Sequence, residues 1–234
     1  MKLIWNIEPC RMNKITIRLL FILVIVLAKG FETFSQVEDF QLWNGYSLEK
    51  NFNKKVAVSV EQEFRIRYNA SQFEDYLTTL GGSYKINKYL KAAGAYRFKY
   101  AQNIEDGIKN EHRFNIDLML RYKFDRFILG YRARYQVEYE KFEYNHFHAL
   151  RNKFGVKYNI RKSDFVPFAE YEFYYSLNYP AGNEIYRNRY TLGVDYEITD
   201  YLSVYSYYRI QTRRLYDKEP YNFYILGLGA NFTF

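Results

Sequence analysis

His146 and His148, in the run Glu143-Tyr144-Asn145-His146-Phe147-His148, come closest to a catalytic or metal-ligating pattern in this chain. Two residues apart on a strand they share one face, so they could hold a metal jointly or one could act as a base. Glu143 is close in sequence, and Ser71, Asp75 and Ser176 stand near strand ends where a nucleophile or orienting carboxylate would be needed. Nothing orders these residues into a triad. No third ligand stands at diagnostic spacing, and His112 is remote in sequence, so no metal is expected. Phosphate loops, nucleophile elbows, HExxH and paired CxxC are all missing. The residues therefore lean away from an enzyme and name no cofactor.

A second set of polar groups is larger and better ordered. Glu61, Glu63, Arg65, Arg67, Arg97, Arg113, Asp117, Arg132, Arg134, Glu170, Glu172, Arg189, Asp195 and Arg209 sit at alternate positions in strand-like runs. From Val56 to Tyr68 the alternation is cleanest. Val56, Val58, Val60, Phe64, Ile66 and Tyr68 share one face, broken only by Gln62, and Ala57, Ser59, Glu61, Glu63, Arg65 and Arg67 share the other. A helix would scatter these residues, so the run is a strand. The pattern repeats along the chain, for example Leu90–Tyr100 against Lys91–Lys99 and His112–Tyr122 against Glu111–Arg121. No soluble core could bury the charged faces. Lipid must take the apolar face, or the barrel must be inverted with a greasy interior; in a narrow membrane barrel the charges fill the lumen as paired ladders, because unpaired buried charge is costly. They form either a polar path or ligand cavity, or a salt-bridged plug.

The elements that must position these groups form an all-β fold, a single up-and-down antiparallel transmembrane β-barrel over 37–234. Eleven candidate strands can be counted, from Gln41–Glu49 to Tyr221–Phe234. Bacterial single-chain barrels have even strand numbers. Ten strands from Val56 onward are therefore expected to close, with twelve as the alternative. Gln41–Glu49 is then an inserted segment or half of a pair, and the terminal strand pairs with Val56–Tyr68. Short turns near 50–55, 86–89, 123–126, 160–165 and 199–201 alternate with longer, more polar segments near 69–75, 101–108, 141–146, 177–187 and 215–220.

Composition agrees with this architecture. Aromatic residues make up 21% of the chain, with 27 Tyr and 20 Phe, which suits membrane-interface girdles. A mean hydropathy of −0.46 argues against a bundle of membrane helices. The one apolar run, Leu19–Ala28, follows Arg11, Lys14 and Arg18 and precedes Phe34-Ser35-Gln36, so 1–36 read as a secretory signal peptide, with Met12 as an alternative start. Its removal takes five basic and two acidic residues, leaving 29 against 24 and a net charge of +5. Cys10 leaves with it, so no disulfide chemistry remains. The small charge does not call for nucleic acid, and anionic lipopolysaccharide is the more fitting partner.

The terminal aromatic, Phe234, resembles the assembly signal of Gram-negative outer-membrane barrels. That likeness implies recognition by the barrel-assembly machinery and a periplasmic C-terminus. The run Trp43…Leu48-Glu49-Lys50…Lys54-Lys55, followed by Glu61-x-Glu63…Arg65, resembles an outer-membrane barrel family of unknown function. The resemblance implies a fold and a location, the cell outer membrane, and no catalytic residues. The expected function is a non-enzymatic barrel, structural or passing or binding small solutes, with a lumen largely filled by paired charges. The alternatives are a rim enzyme acting on lipopolysaccharide or surface peptides, and a soluble periplasmic barrel holding lipid.

Overall fold

A computed structural model of the chain describes residues 38–103, 107–140, 146–179, 182–214 and 220–234. The leader read in 1–36 and Glu143 lie outside the described residues. The described chain is all strand and turn: β1 Glu38–Asn51, β2 Val56–Arg67, β3 Gln72–Lys85, β4 Leu90–Asn103, β5 Gly107–Phe124, β6 Phe127–Glu140, β7 His146–Tyr158, β8 Phe165–Ser176, β9 Ile185–Thr199, β10 Leu202–Arg213 and β11 Tyr221–Thr233. At 12 to 18 residues, every strand exceeds the 9–11 or so that a tilted strand needs to cross a bilayer. Among the described residues no helix is long and apolar enough to cross a membrane.

The strands close into one barrel, each antiparallel to its neighbours except at a single seam. There β11 runs parallel to β1, with Trp43 beside Gly227 and Gly45 beside Gly229. The expectation of ten or twelve strands is thereby corrected to eleven. The even count assumes that every pairing is antiparallel; one parallel pair lets an odd number close. The expected partner of the terminal strand is corrected as well. It is β1, the segment around Trp43, while β2 lies on the far side of β1. The backbone of Phe234 secures this seam, its N–H donating to Glu49 (2.9 Å) and its carbonyl accepting from Asn51 (2.8 Å).

Alternation sorts the two faces as the residue pattern requires. Many outward positions in mid-strand are aliphatic, among them Leu80, Ile116, Leu118, Leu192 and Leu228, all exposed, with aromatic rings such as Phe114, Phe154 and Tyr190 between them. Aromatic pairs flank this band. Phe127–Tyr158 (ring centroids 4.9 Å apart) and Phe165–Tyr196 (4.6 Å) lie at the end holding Phe234, and Phe64–Tyr76 (5.2 Å) lies towards the other. An aliphatic band between aromatic girdles is the outer surface of a membrane barrel.

The difference in connection length is smaller than the residues suggest. The β2–β3 connection is only Tyr68–Ser71, because strand β3 already begins at Gln72. Three left-handed residues make that turn tight: Tyr68, Asn69 and Ala70, with φ of 54°, 56° and 59°. The two longest connections, 177–184 and 214–220, do share one end, opposite the C-terminus.

Candidate functional site in the barrel lumen

Inward-facing side chains divide the lumen into two halves. Towards the connections 177–184 and 214–220 the interior is blocked. Leu77, Tyr174, Gln136, Ile225, Gln41 and Asp75 are fully buried there. Two β-bulges add material to this blockade. Between Arg65 and Ile66 the register of β2 against β3 skips Glu74, so Glu74 joins Asp75 among the buried carboxylates. Between Tyr174 and Tyr175 the register against β9 skips Tyr186, which packs edge-on against Tyr174 (5.8 Å). A bulge re-aims a side chain that strict alternation would point outward.

The blockade is bound together by charge. Glu172 accepts from Arg132 (2.7 Å), Arg151 (3.0 Å) and Arg189 (3.4 Å), and from the Tyr174 hydroxyl (3.0 Å). Asp75 meets Arg67 (2.9 Å), Arg65 (3.5 Å) and Lys99 (3.5 Å), and Glu74 takes the other arm of Arg67 (2.6 Å). Arg134 holds Asp117 with two bonds of 2.6 Å. Arg113 pairs with Glu138 (2.8 Å), and Glu63 pairs with Arg65. Pairing of this kind is what burial of charge demands, although the Nε atoms of Arg67, Arg113, Arg132 and Arg151 are buried without a hydrogen-bond partner among the described residues.

At the centre lies Trp43, 4% exposed. Its indole N–H donates to Gln41 (2.9 Å). The guanidinium of Arg65 stacks on the ring at 3.8 Å, and those of Arg189 and Arg209 stand at 5.5 and 5.6 Å. Stacked guanidiniums keep their in-plane donors available while the ring faces their charge.

Towards the C-terminal end the inner face carries small residues, including Gly45, Ser47, Ser59, Gly81, Ala93 and Ala95. Space opens there as a cavity of about 420 Å³. Trp43, Arg151, Glu172 and Arg189 form its floor, and Arg97, Glu61, Lys153, Glu170, Lys157, Asp195, Phe168, Tyr205 and Tyr207 its wall. Salt bridges join Lys153 to Glu170 (2.6 Å) and Lys157 to Asp195 (2.5 Å), and Arg97 reaches Glu61 at 3.6 Å. Tyr205 lies over Gly45 and Gly229, and Tyr207 over Gly227, where only a missing Cβ leaves room for a ring.

The charged residues read as a lumen set, from Glu61 to Arg209, all stand on this inner face. The histidine pair does not. His146 and His148 begin β7 on the outward face, His148 bonded to the Tyr135 hydroxyl (2.6 Å) and His146 against Tyr139 (4.4 Å). Ser176 and Asp75 are buried on the inner side of the wall, and Ser71 lies in the β2–β3 turn, bonded to the Tyr68 carbonyl (2.5 Å). The fold thus leaves the rim set apart rather than assembling it. Among the described residues no His, Cys, Asp and Glu cluster could hold a metal. Residue patterns missed Trp43 as the centre of the site, and Glu74 and Tyr186 as lumen groups. The odd position of Trp43, in phase with Gly45 and Ser47, was the available signal for the first.

Closed strands, a greasy outer band and a charged interior define an outer-membrane-type β-barrel. The chain belongs to a family described as a protein of unknown function, DUF2490, which matches residues 40–222. Among curated proteins no sequence matches it. Of solved structures, LpxR from Salmonella typhimurium is similar at a TM-score of 0.51 and 9% identity, over 80% of this chain and 87% of that one. The β domain of the Bordetella autotransporter BrkA is similar at a TM-score of 0.44 and 9% identity, over 72% of this chain and 78% of that one. At such identity the LpxR likeness extends to the fold alone.

Proposed function

We propose that this protein is a non-enzymatic barrel of the outer membrane that holds a small solute in a blind cavity. Its C-terminal end is assigned to the periplasm, and the cavity opens on that side. The carrying observation is the blockade at Tyr174, Gln136, Leu77 and Ile225, all fully buried across the lumen on the side of Trp43 away from the cavity. A passage for solutes would need that section to be clear. The lumen is also too charged to receive a lipid chain, which speaks against a soluble lipid carrier. The greasy outer band supports residence in a bilayer, and exposed Phe234 supports recognition by the assembly machinery.

Planar-bilayer recording tests the blind cavity. Folded protein should insert without a stable conductance. Opening should follow when the blockade is thinned by Tyr174→Ala with Tyr186→Ala. A steady conductance from the unmodified chain would refute the reading.

A further inference from the structure

Positive charge is in surplus where the lumen is emptiest. Nine lysine and arginine side chains line the cavity against five carboxylates. Asp117, behind the lining, answers Arg134. The surplus that remains lies on Arg209 and Arg189, over Trp43, and on Arg97 in the cavity wall. Arg209 is held by the Thr191 hydroxyl (2.9 Å) and by the rings of Tyr207 (4.5 Å) and Trp43, with no carboxylate in salt-bridge range among the described residues. Arg189 has only the longest of three contacts to a carboxylate that Arg132 and Arg151 already occupy. Arg97 has one carboxylate, at 3.6 Å, on a Glu61 side chain that is half exposed.

Largely buried cations in excess need a counter-anion, because neither aromatic faces nor hydroxyls neutralise them. A guanidinium fork presents parallel N–H donors at the spacing of carboxylate or phosphate oxygens. The cavity, about 420 Å³, falls in the range of small-molecule sites. Phe168, Tyr205 and Tyr207 offer apolar wall to a ligand's uncharged part. We infer that the cavity above Trp43 binds a small organic anion carrying more than one phosphate or carboxylate group, with Arg209 and Arg97 as its principal donors. This deepens the blind-cavity reading and rests on it. The ligand enters from the C-terminal end, where Lys157, paired with Asp195, is an exposed cation of the lining.

Trp43 is a built-in reporter. In detergent-folded full-length chain carrying Trp5→Phe it is the one tryptophan. Its fluorescence is followed at constant ionic strength during titration with tripolyphosphate, with citrate, and with spermidine as a cationic control. A saturable change is expected with at least one anion and none with spermidine; the stronger of the two anions tells phosphate from carboxylate chemistry. Arg209→Gln should weaken binding about tenfold, the loss of one charge-assisted contact. Heat-modifiable migration checks the fold of that variant, and if it does not fold, Arg97→Gln is read in its place. No saturable change with either anion, or unchanged affinity in the folded arginine variant, overturns the proposal. The two readings fail separately. A conducting barrel that still binds anions sinks only the blind cavity, and a silent barrel without binding sinks only the anion site.

Discussion

Glu172 shows how much a single side chain can hold. Three guanidiniums and a phenol converge on one buried carboxylate. Removing its charge strands the three arginines in a closed interior, and breaking a buried ion pair from one side costs roughly 3–5 kcal/mol. Glu172→Gln keeps the volume and should lower the transition temperature of heat-modifiable migration sharply. Glu61→Gln should barely move it, since that carboxylate is half exposed and its partner is 3.6 Å away; exposed pairs contribute about 0–1 kcal/mol. Equal shifts in the two variants would show that the network over Trp43 does not bear on stability. The histidines teach the opposite lesson. Their spacing was suggestive, yet each ring ends beside an outward tyrosine, Tyr135 for His148, Tyr139 for His146 and Tyr96 for His112.

At the scale of elements, β11 closes the seam and, in the proposed reading, also carries the assembly signal. Its glycines let the rings of Tyr205 and Tyr207 lie flat against the seam, and its last residue has the form of an assembly signal. The two roles separate by experiment. In Gly227→Leu the added side chain meets the Tyr207 ring, so the seam between β10, β11 and β1 should not close, and the heat-modifiable form should be lost in detergent and in cells alike. Deleting Phe234 removes its two backbone bonds, to Glu49 and from Asn51, at the end of the seam and leaves every β1–β11 partner from Glu38–Asn222 to Glu49–Thr233 in place. That chain should still fold in detergent but reach the outer membrane poorly. Failure of both variants in detergent would make Phe234 part of the closure, and normal insertion of the truncated chain would remove its role as a signal. The bulges at Glu74 and Tyr186 are a further device of this scale, because each aims one extra side chain into the blockade.

For the whole molecule, the parallel seam has a topological consequence. Strands β1 and β11 run the same way, so Glu38 and Phe234 stand at opposite ends of the barrel. If the C-terminus faces the periplasm, as proposed, Glu38 stands at the cell exterior. An epitope inserted just before Glu38 should be reached by antibody on intact cells, and one after Phe234 only after permeabilisation. Reaching both, or neither, would contradict the eleven-strand closure in this orientation. Fold class, strand positions and the inward placement of the charges were legible in the residues, because side chains alternate at period two and only one face of each run tolerates lipid. Eleven strands were countable too. How they close was not, since a parallel or antiparallel seam depends on which distant edges meet, and an alternating pattern is the same in either direction. For the same reason Trp43 was legible as an inward residue on a strand, while its gathering of Arg65, Arg189 and Arg209 was not. Arg65 is the cross-strand partner of Trp43 in the β1–β2 pair, but Arg189 and Arg209 come from strands up to 166 positions away in the chain, and only closure of the barrel brings them over the same ring.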